Sequence, residues 1–300
     1  MYLPFFLFYM KNLISGLGLR QPHYLEFLSS QPQVDYIEVH SENFFSTDPL
    51  NLKYLQQIRK QYSISLHGVG LSIGSAIGIE RAHLYELRTL ADTIQPFILS
   101  DHLSYSRVSK TSNRIYDLHD LLPIGLNQES LKLISKHVNE VQQFLGRRLY
   151  LENISQYIFF NNEQFTDVEF VCQLIKSTGC GLLLDLNNLY VNYINLKTKN
   201  IIDAGYQWIN ILLDSLQSTS QIGEIHLAGC STQVGLIVDD HAAPPSYEVW
   251  QWYEYLISQV RTFIPTTIEW DENIPELEVL VKLTDKIKSI QKNLLESSYV

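Results

Sequence analysis

The sequence contains little cysteine and little positive charge. Its three cysteines, Cys172, Cys180 and Cys230, stand at irregular spacing and form neither a Cys-x-x-Cys motif nor a disulfide framework. Lys and Arg number 22 against 32 Asp and Glu, which gives a formal net charge of −10, whereas binding a nucleic-acid backbone requires clustered basic residues. The composition therefore argues against a disulfide-stapled secreted protein and a nucleic-acid partner, and it favours a reducing cytoplasm.

The sequence also lacks an apolar run long enough to span a membrane. Its most apolar segment, MYLPFFLFYM at residues 1–10, is far shorter than the ~20 residues of a span, and it has no basic start or cleavage site of a signal peptide. Either residues 1–14 form an extension that packs below the fold, or the true start is Met10, and we favour the second. No linker or charge block divides the remainder, so we predict one catalytic domain over residues 15–295.

Several common catalytic motifs are missing. The sequence has no His-Glu-x-x-His zinc motif and no Walker phosphate loop, and GVGLSIG does not match the dinucleotide fingerprint Gly-x-Gly-x-x-Gly. The segment Gly70–Gly74 formally matches the esterase motif Gly-x-Ser-x-Gly, but the helix expected directly after Ser72 is replaced by GSAIG. The sequence therefore argues against dinucleotide-dependent and esterase chemistry.

What the sequence does contain is a repeated pattern of short apolar runs that stop on a polar residue. Buried parallel strands are typically continuous apolar runs of this kind, and helix-period segments separate them at 22–31, 50–61, 80–95, 127–145, 163–178, 203–218, 246–262 and 275–293. The pattern predicts an α/β protein with a single (β/α)₈ TIM barrel. The runs end at Arg20, His40, His67, His102, Glu152–Asn153, Asp185, His226 and Glu269.

The ends of these runs predict a metal site, because the carboxyl ends of all eight strands of such a barrel converge on one face. A single strand-end histidine is more often a hydrogen-bonded core residue than a ligand, but several buried carboxylates together require compensating cations. Mixed imidazole and carboxylate ligands suit iron, manganese or zinc, and eight candidates exceed the coordination of one ion. We therefore predict two or three metal ions. The candidates are His67, His102, Glu152, Asp185, His226, Asp239, His241 and Glu269.

Two long loops and several polar residues should surround this site. We expect the segments 68–79 and 229–248 to cover it, and the second carries Asp239 and His241, which we also assign to catalysis. Glu38, Glu42 and Asn43 should line its floor or mouth, although hydrogen bonding to neighbouring strands explains them equally well, and His40 has no evident partner. The residues predicted around the ligands are Glu38, Glu42, Asn43, Asp101, Asn153, Asn187 and Cys230.

With these residues in place, the chain resembles the multinuclear non-heme iron-dependent oxidative enzymes, a TIM-barrel family that includes the iron oxidase subunit of methanobactin biosynthesis. The resemblance covers about residues 15–285 and rests on ten blocks in order. These blocks are GLGLR, YIEVHSENFF, SLHGVGLSIGSA, SDHLSYS, DLLPIG, LGRRLYLENIS, GCGLLLDLNNLYVN, EIHLAG, VDDHAAP and PTTIEWDENIP.

The resemblance implies a TIM barrel of the xylose-isomerase type, a ligand set and an activity. It implies two or three iron ions held by the eight residues named above together with Asn188, and dioxygen as co-substrate. Relatives of this family oxidise cysteine residues in ribosomally made peptides, usually with a partner protein that delivers the substrate. We therefore expect a cysteine-containing precursor peptide and a delivery protein encoded nearby. Two departures from the family pattern are Cys230, where a histidine is common, and Asn195-Leu196, where an Asn-His pair is expected.

Two other functions remain open from the sequence. A hydrolase or sugar isomerase of the same barrel superfamily would use similar strand-end ligands with zinc or manganese. A metal-binding protein without turnover would need the same side chains and no substrate. Metal identity and dioxygen uptake would distinguish the oxidase from both.

Overall fold

The computed structural model describes residues 14–45, 49–111 and 114–296, so the predicted extension at 1–14 lies almost wholly outside the described residues. The strands, in chain order, are β1 (Ser15–Gly18), β2 (Tyr36–His40), β3 (Ser63–Gly68), β4 (Ile98–His102), β5 (Tyr105–Thr111), β6 (Arg114–Leu122), β7 (Tyr150–Glu152), β8 (Gly181–Asp185), β9 (Ile222–Leu227), β10 (Ser231–Gln233), β11 (Leu236–Val238) and β12 (Thr266–Ile268).

Eight parallel strands close into a barrel in the order β1-β12-β9-β8-β7-β4-β3-β2. The register aligns the predicted strand ends with one another: His40 pairs with His67, and His102 pairs with Glu152. Asp185 likewise pairs with His226 on the neighbouring strand. The predicted TIM barrel is confirmed, and its pairing places the ligand-type side chains side by side along one rim.

Helices surround the barrel between the strands. They are α1 (Tyr24–Ser30), α2 (Pro49–Ile58), α3 (Arg81–Ile94), α4 (Gln128–Leu145), α5 (Asp167–Thr178), α6 (Leu186–Asn195), α7 (Ile201–Ser215), α8 (Tyr247–Val260) and α9 (Leu277–Glu296). In α4, the Asn127 side chain accepts a hydrogen bond from the Ser130 N–H, and Gly146 ends the helix in the left-handed conformation. No helix in the described ranges is long and apolar enough to cross a membrane.

The structure contains elements that the apolar pattern did not predict. An antiparallel hairpin of β5 and β6 follows β4 and lies outside both loops singled out from the sequence. A second hairpin, β10 with β11, lies inside the predicted loop 229–248. Helix α6 begins directly after β8, because the Asp185 carboxylate accepts the Asn188 N–H and caps its first turn.

Below the rim, the barrel interior holds a buried carboxylate that the sequence did not point out. Glu224 is fully buried, and its two oxygens accept hydrogen bonds from the hydroxyls of Ser65 (2.7 Å) and Thr267 (2.6 Å). Thr267 also contacts the Tyr36 hydroxyl at 3.0 Å. A buried polar group is tolerated when its hydrogen bonds are satisfied, so this network fills the barrel interior beneath the rim residues.

Candidate metal centre

The carboxyl ends of the barrel strands surround a cavity of about 190 Å³. Most of the predicted ligands are buried because they stand at strand ends, whereas Asp239 and His241, on the loop that folds back over them, keep slight exposure. The polar residues that line the cavity are His40, His67, His102, Glu152, Ser155, Asn188, Asp239, Asp240, His241, Glu269 and Asp271.

The first group of ligand-type atoms lies on the β3–β4 side of the cavity. Glu152 Oε2 is 3.1 Å from His67 Nε2 and 3.3 Å from His102 Nε2. This oxygen is buried and accepts no hydrogen bond. Two imidazole nitrogens and a carboxylate oxygen directed at one another without a hydrogen bond are what a metal ion would need between them.

The second group shares Glu152 and extends to β8, β9 and β12. His226 Nδ1 lies 2.9 Å from Glu269 Oε2 and 4.0 Å from Glu152 Oε1. Asp185 contributes Oδ2, which is buried and has no hydrogen-bond partner. Glu152, Asp185 and His226 bring one ligand atom each within 4.8 Å of one another, so this group could also hold a metal ion.

The third group lies nearest the mouth of the cavity. His241 Nε2 is 3.1 Å from Asp239 Oδ1, and both side chains retain some exposure, 15% and 14% respectively. Asn188 points its amide nitrogen at Glu152 Oε1 (3.1 Å) and at the Asn153 carbonyl (2.9 Å), which leaves its buried amide oxygen without a partner. The amide oxygen is therefore free to act as a ligand, as the predicted role requires.

Each of the four predicted imidazole ligands has one nitrogen anchored outside these groups. His67 Nδ1 contacts the Ser100 hydroxyl at 2.9 Å, and His102 Nδ1 contacts the Gly68 carbonyl at 3.0 Å. His226 and His241 are anchored by carboxylates. His226 Nε2 lies 2.8 Å from Glu38, and His241 Nδ1 lies 2.9 Å from Asp271. A partner on one ring nitrogen fixes the tautomer and leaves the other nitrogen for a metal, so the donor set fits metal ligation.

The charges in this site are strongly perturbed by burial and by one another. Burial lowers the pKa of His67 to about 3 and also lowers that of His102. Burial acts in the same direction on His226 and His241, but the carboxylates around them outweigh it and raise both pKa values well above normal. Glu269, despite its burial, has its pKa held well below normal by these two imidazoles.

In Asp185 and Glu152, burial prevails over the neighbouring imidazoles. Burial, reinforced by Glu152, raises the pKa of Asp185 well above its ordinary value. Burial likewise raises the pKa of Glu152, although His102 and His226 oppose the shift. Carboxyl groups that are costly to ionise without a cation, beside free imidazole nitrogens, are consistent with a site built to receive metal ions.

Several residues predicted around the ligands contact them directly. Asn187 donates to Asp239 Oδ1 at 2.7 Å, and Asn153 exchanges side-chain hydrogen bonds with the backbone of Asp185. Glu38 anchors His226, as described above. Cys230 is half-buried and outside the cavity lining, and burial together with Asp239 raises its pKa to about 11.

The remaining predicted residues lie elsewhere. Glu42 and Asp101 form a separate group with His83, in which Glu42 accepts the Val69 N–H and Asp101 accepts the Leu71 N–H. Asn43 is exposed and is not among the residues that line the cavity. The 3₁₀ turn Ser41–Phe44 that follows β2 carries it away from the cavity.

Sequence reasoning gave no role to three residues that the structure brings into the site. Arg20 and His40 were visible only as strand-end residues, and Asp271 only as the second acid of the block EWD. Arg20 is buried, donates from Nε to Asp271, and lies 3.8 Å from Glu269. Leu121 of the β5–β6 hairpin also lines the cavity, so the two predicted loops are not the only segments that cover it.

Solved structures share this architecture at low sequence identity. Endonuclease IV from Thermus thermophilus superposes with a TM-score of 0.58 at 12% identity, covering 95% of this chain and 99% of that one. A xylose isomerase-like TIM barrel protein from Mycobacterium smegmatis, in complex with magnesium, gives 0.55 at 13% identity, with 91% and 89% covered. At these identities the likeness shows the fold alone, and it confirms the xylose-isomerase type of barrel.

Sequence comparison is far more specific. A UPF0276 protein of Chromobacterium violaceum is 42% identical over 277 residues, covering 92% of this chain and 94% of its relative. A UPF0276 protein of Psychromonas ingrahamii is 37% identical over 286 residues, with 94% and 95% covered. The family model described as RiPP precursor modification enzyme MbnB/TglH/ChrH matches residues 14–292. The chain therefore belongs to the MbnB/TglH/ChrH family of RiPP precursor modification enzymes.

Proposed function

We propose that this protein is an iron-dependent enzyme that uses dioxygen to oxidise cysteine residues in a ribosomally made precursor peptide. The observation that carries the metal part is the arrangement of the four imidazoles. Each has one nitrogen anchored by a neighbour and the other directed at a carboxylate. The family to which the chain belongs supports the peptide part.

Three groups of residues would hold two or three iron ions. His67, His102 and Glu152 would form the first, and Glu152 would be shared with the second, which adds Asp185, His226 and Glu269. Asn188, Asp239 and His241 would form the third, nearest the mouth. Iron bound there would supply dioxygen activation and direct binding of a soft thiolate ligand.

The residues of the chain would bind and orient the peptide and limit access of water. Because Asp239 and His241 are the most exposed members of the ligand set, the substrate cysteine should approach from their side. The Tyr157 hydroxyl accepts the Asp239 N–H at 2.9 Å and so ties this entrance to the segment after β7. The walls formed by Val69, Leu121 and Ile154 are apolar, which would keep the reacting thiol away from bulk solvent.

A partner protein that delivers the peptide is part of the proposal. Large apolar side chains are exposed on segments that leave the carboxyl face of the barrel, including Ile115 on the hairpin and Ile158 and Phe159 after β7. Exposed apolar groups clustered near a site mark interaction surfaces. The three free thiols, Cys172, Cys180 and Cys230, support residence in a reducing cytoplasm.

The test combines metal analysis with peptide modification. Protein reconstituted with iron without oxygen should carry two or three iron ions per chain, and co-expression with a neighbouring cysteine-containing peptide gene should give an oxygen-dependent mass change at cysteine. His226→Ala should lower iron content and abolish the mass change. His137→Gln should do neither, since His137 is also buried but is anchored to the Ile73 carbonyl away from the cavity.

Three outcomes would contradict the proposal. Zinc or manganese alone, with no gain on iron reconstitution, would favour a hydrolase or isomerase. Equal modification of a Cys→Ser peptide would exclude cysteine chemistry. Modification without dioxygen would exclude an oxidase.

A further inference from the structure

One group at the rim of the cavity has metal-ligand geometry but is already occupied by a cation of the chain itself. His40, Glu269 and Asp271 bring ligand-type atoms within 4.8 Å of one another. The guanidinium of Arg20 lies among them. Its Nη2 is 3.4 Å from His40 Nε2 and 3.8 Å from Glu269 Oε1, and its Nε donates to Asp271 Oδ1. A guanidinium cannot be deprotonated in a protein, so a metal cation is not expected beside it.

Asp271 connects this guanidinium to His241 by two contacts. Its Oδ2 lies 2.9 Å from His241 Nδ1, and its backbone N–H donates to the His241 carbonyl at 2.9 Å. His241 has a φ of 49°, in the left-handed region that side-chain-bearing residues rarely adopt. A residue in that conformation is retained only where its surroundings hold it, and Asp271 supplies both contacts.

We propose that Arg20 is a positioning residue for the third metal position, acting through Asp271 on His241. Arg20 keeps one oxygen of Asp271 engaged, so the other faces His241 Nδ1 and leaves Nε2 directed at Asp239. The same guanidinium takes the place of a metal ion between His40 and Glu269, so His40 is not a metal ligand. The inference rests on the proposed function for the existence of the metal centre. It adds the residue that controls whether the outermost metal position is occupied.

The shape of arginine explains why this residue stands after β1. Its planar fork can donate to Asp271 from one nitrogen and face His40 and Glu269 with another, whereas a lysine offers a single point charge. Arg20 is held between strand β1 and the segment after β12, which are paired neighbours in the barrel. The loop that carries His241 therefore takes its orientation from two rigid strands.

The test is metal binding by Arg20→Gln and Arg20→Lys. Each protein is prepared metal-free and titrated without oxygen with Fe²⁺ and, separately, with Mn²⁺, and bound metal is counted after desalting. Arg20→Gln should weaken the binding of one ion about 10–100-fold, as loss of a residue that orients a metal ligand typically does, and leave the remaining ions at wild-type affinity. Arg20→Lys should fall between Arg20→Gln and the wild type.

A matched control is Arg107→Gln. Arg107 is another buried arginine with a carboxylate partner, Glu80 at 3.4 Å, but it does not line the cavity. It should retain every ion. Asp271→Asn keeps the shape of the intermediate residue and should reproduce the Arg20→Gln result, which secures the test if Arg20→Gln folds poorly.

The outcomes separate this inference from the proposed function. Wild-type affinity for every ion in both Arg20→Gln and Asp271→Asn would overturn the positioning role and leave the proposed metal centre intact. Equal weakening in Arg107→Gln would reduce the effect to general destabilisation and would also overturn it. A wild-type chain that binds neither Fe²⁺ nor Mn²⁺ would overturn both.

Discussion

The histidines on the two sides of the cavity have pKa values that are shifted in opposite directions. On the β3–β4 side, His67 and His102 are anchored by a hydroxyl and a backbone carbonyl, and burial lowers the pKa of both. On the β9–β12 side, His226 and His241 are anchored by carboxylates. Burial acts to lower their pKa values too, but neighbouring acids raise both well above normal. The two sides differ in the kind of anchoring group, which is a hydroxyl or a backbone carbonyl on the first and a carboxyl group on the second.

Because of this difference, the histidines of one side must lose protons before they can bind metal, and those of the other side need not. The imidazoles of the β3–β4 side are neutral near pH 7 and can accept an ion at once. Those of the β9–β12 side carry protons that a metal ion must displace, because an imidazole binds metal only in its neutral form. Glu152 belongs to both sides, since one oxygen faces His67 and His102 and the other lies 4.0 Å from His226.

Removing the shared carboxylate should give the largest effect. Glu152→Gln keeps the shape of the residue but not its charge, so we expect loss of more than one metal ion and of all activity. Burial raises the pKa of Glu152, which means that its ionised form is disfavoured in the folded chain. The metal-free variant should therefore be at least as stable as the wild type at pH 7. Metal analysis and thermal unfolding test this, and full metal retention would contradict the shared role.

Metal binding should release imidazole protons from one side of the cavity only. His226 faces Glu38 and Glu269, and His241 faces Asp239, Glu269 and Asp271; both must lose a proton to bind metal. Filling the β9–β12 side near pH 7 should release protons from His226 and His241, plus any carried by Asp185, whereas the imidazoles of the β3–β4 side should release none. Calorimetry in buffers of different ionisation enthalpy measures this. Equal proton release by both sides would remove the distinction.

The same shifts predict how the stability of the metal-free protein depends on pH. Because the folded pKa values of His226 and His241 are raised, their contribution is complete below about pH 6.5 and is lost as the pH rises through the folded values. The raised pKa of Asp185 acts with the same sign, since its ionisation at higher pH is costly in the folded state. The melting temperature without metal should fall from about pH 6 to about pH 9, and a rise over that range would contradict the assignment.

The anchors themselves can be compared by a matched pair of substitutions. Glu38→Gln removes the carboxyl anchor of His226, and Ser100→Ala removes the hydroxyl anchor of His67. We expect Glu38→Gln to weaken metal binding about 10–100-fold and Ser100→Ala by less, because only the first removes a carboxyl group that can take up the imidazole proton and orient the ring. Metal titration of both variants measures the two losses of affinity. A larger effect of Ser100→Ala would reverse the comparison.

Cys230 should give the smallest effect. It stands where the family commonly has a histidine, but it lies outside the cavity lining, and burial raises the pKa of its thiol to about 11. A thiol that stays protonated near pH 7 is a poor ligand and nucleophile. Cys230→Ser should keep turnover within about tenfold, roughly 1.4 kcal/mol of barrier. Complete loss would make Cys230 a direct participant.

The barrel and most of the candidate site follow from local patterns in the sequence. Apolar runs that end on a polar residue identify the eight strands, and the capping residues Asn127 and Gly146 define α4 to within one residue. The β5–β6 hairpin was missed because most of β6 is exposed and carries no apolar signal of a buried strand. Helix α6 was missed because its cap, Asp185, was interpreted only as a strand end.

The anchoring contacts could not be predicted for a different reason. Ser100, the Gly68 carbonyl and Asp271 hold imidazoles that are 30 or more residues distant in the chain, and nothing local distinguishes them from other polar groups. Arg20 and Asp271 are 251 residues apart and meet only because β1 and β12 close the barrel. Asn43 shows that a polar residue near a strand end can also be exposed, which the local sequence does not reveal.

Asp185 is at once the last residue of β8 and the cap of α6, with one oxygen accepting the Asn188 N–H and the other buried without a hydrogen-bond partner. Strand, helix and two candidate ligands are thus joined within four residues, without a connecting loop. Loops elsewhere in a barrel can lengthen or shorten during evolution, but an insertion between Asp185 and Asn188 would separate the cap from its helix and displace Asn187 and Asn188 together. The segment from Asp185 to Asn188 can therefore change by substitution during evolution, but its length must stay constant.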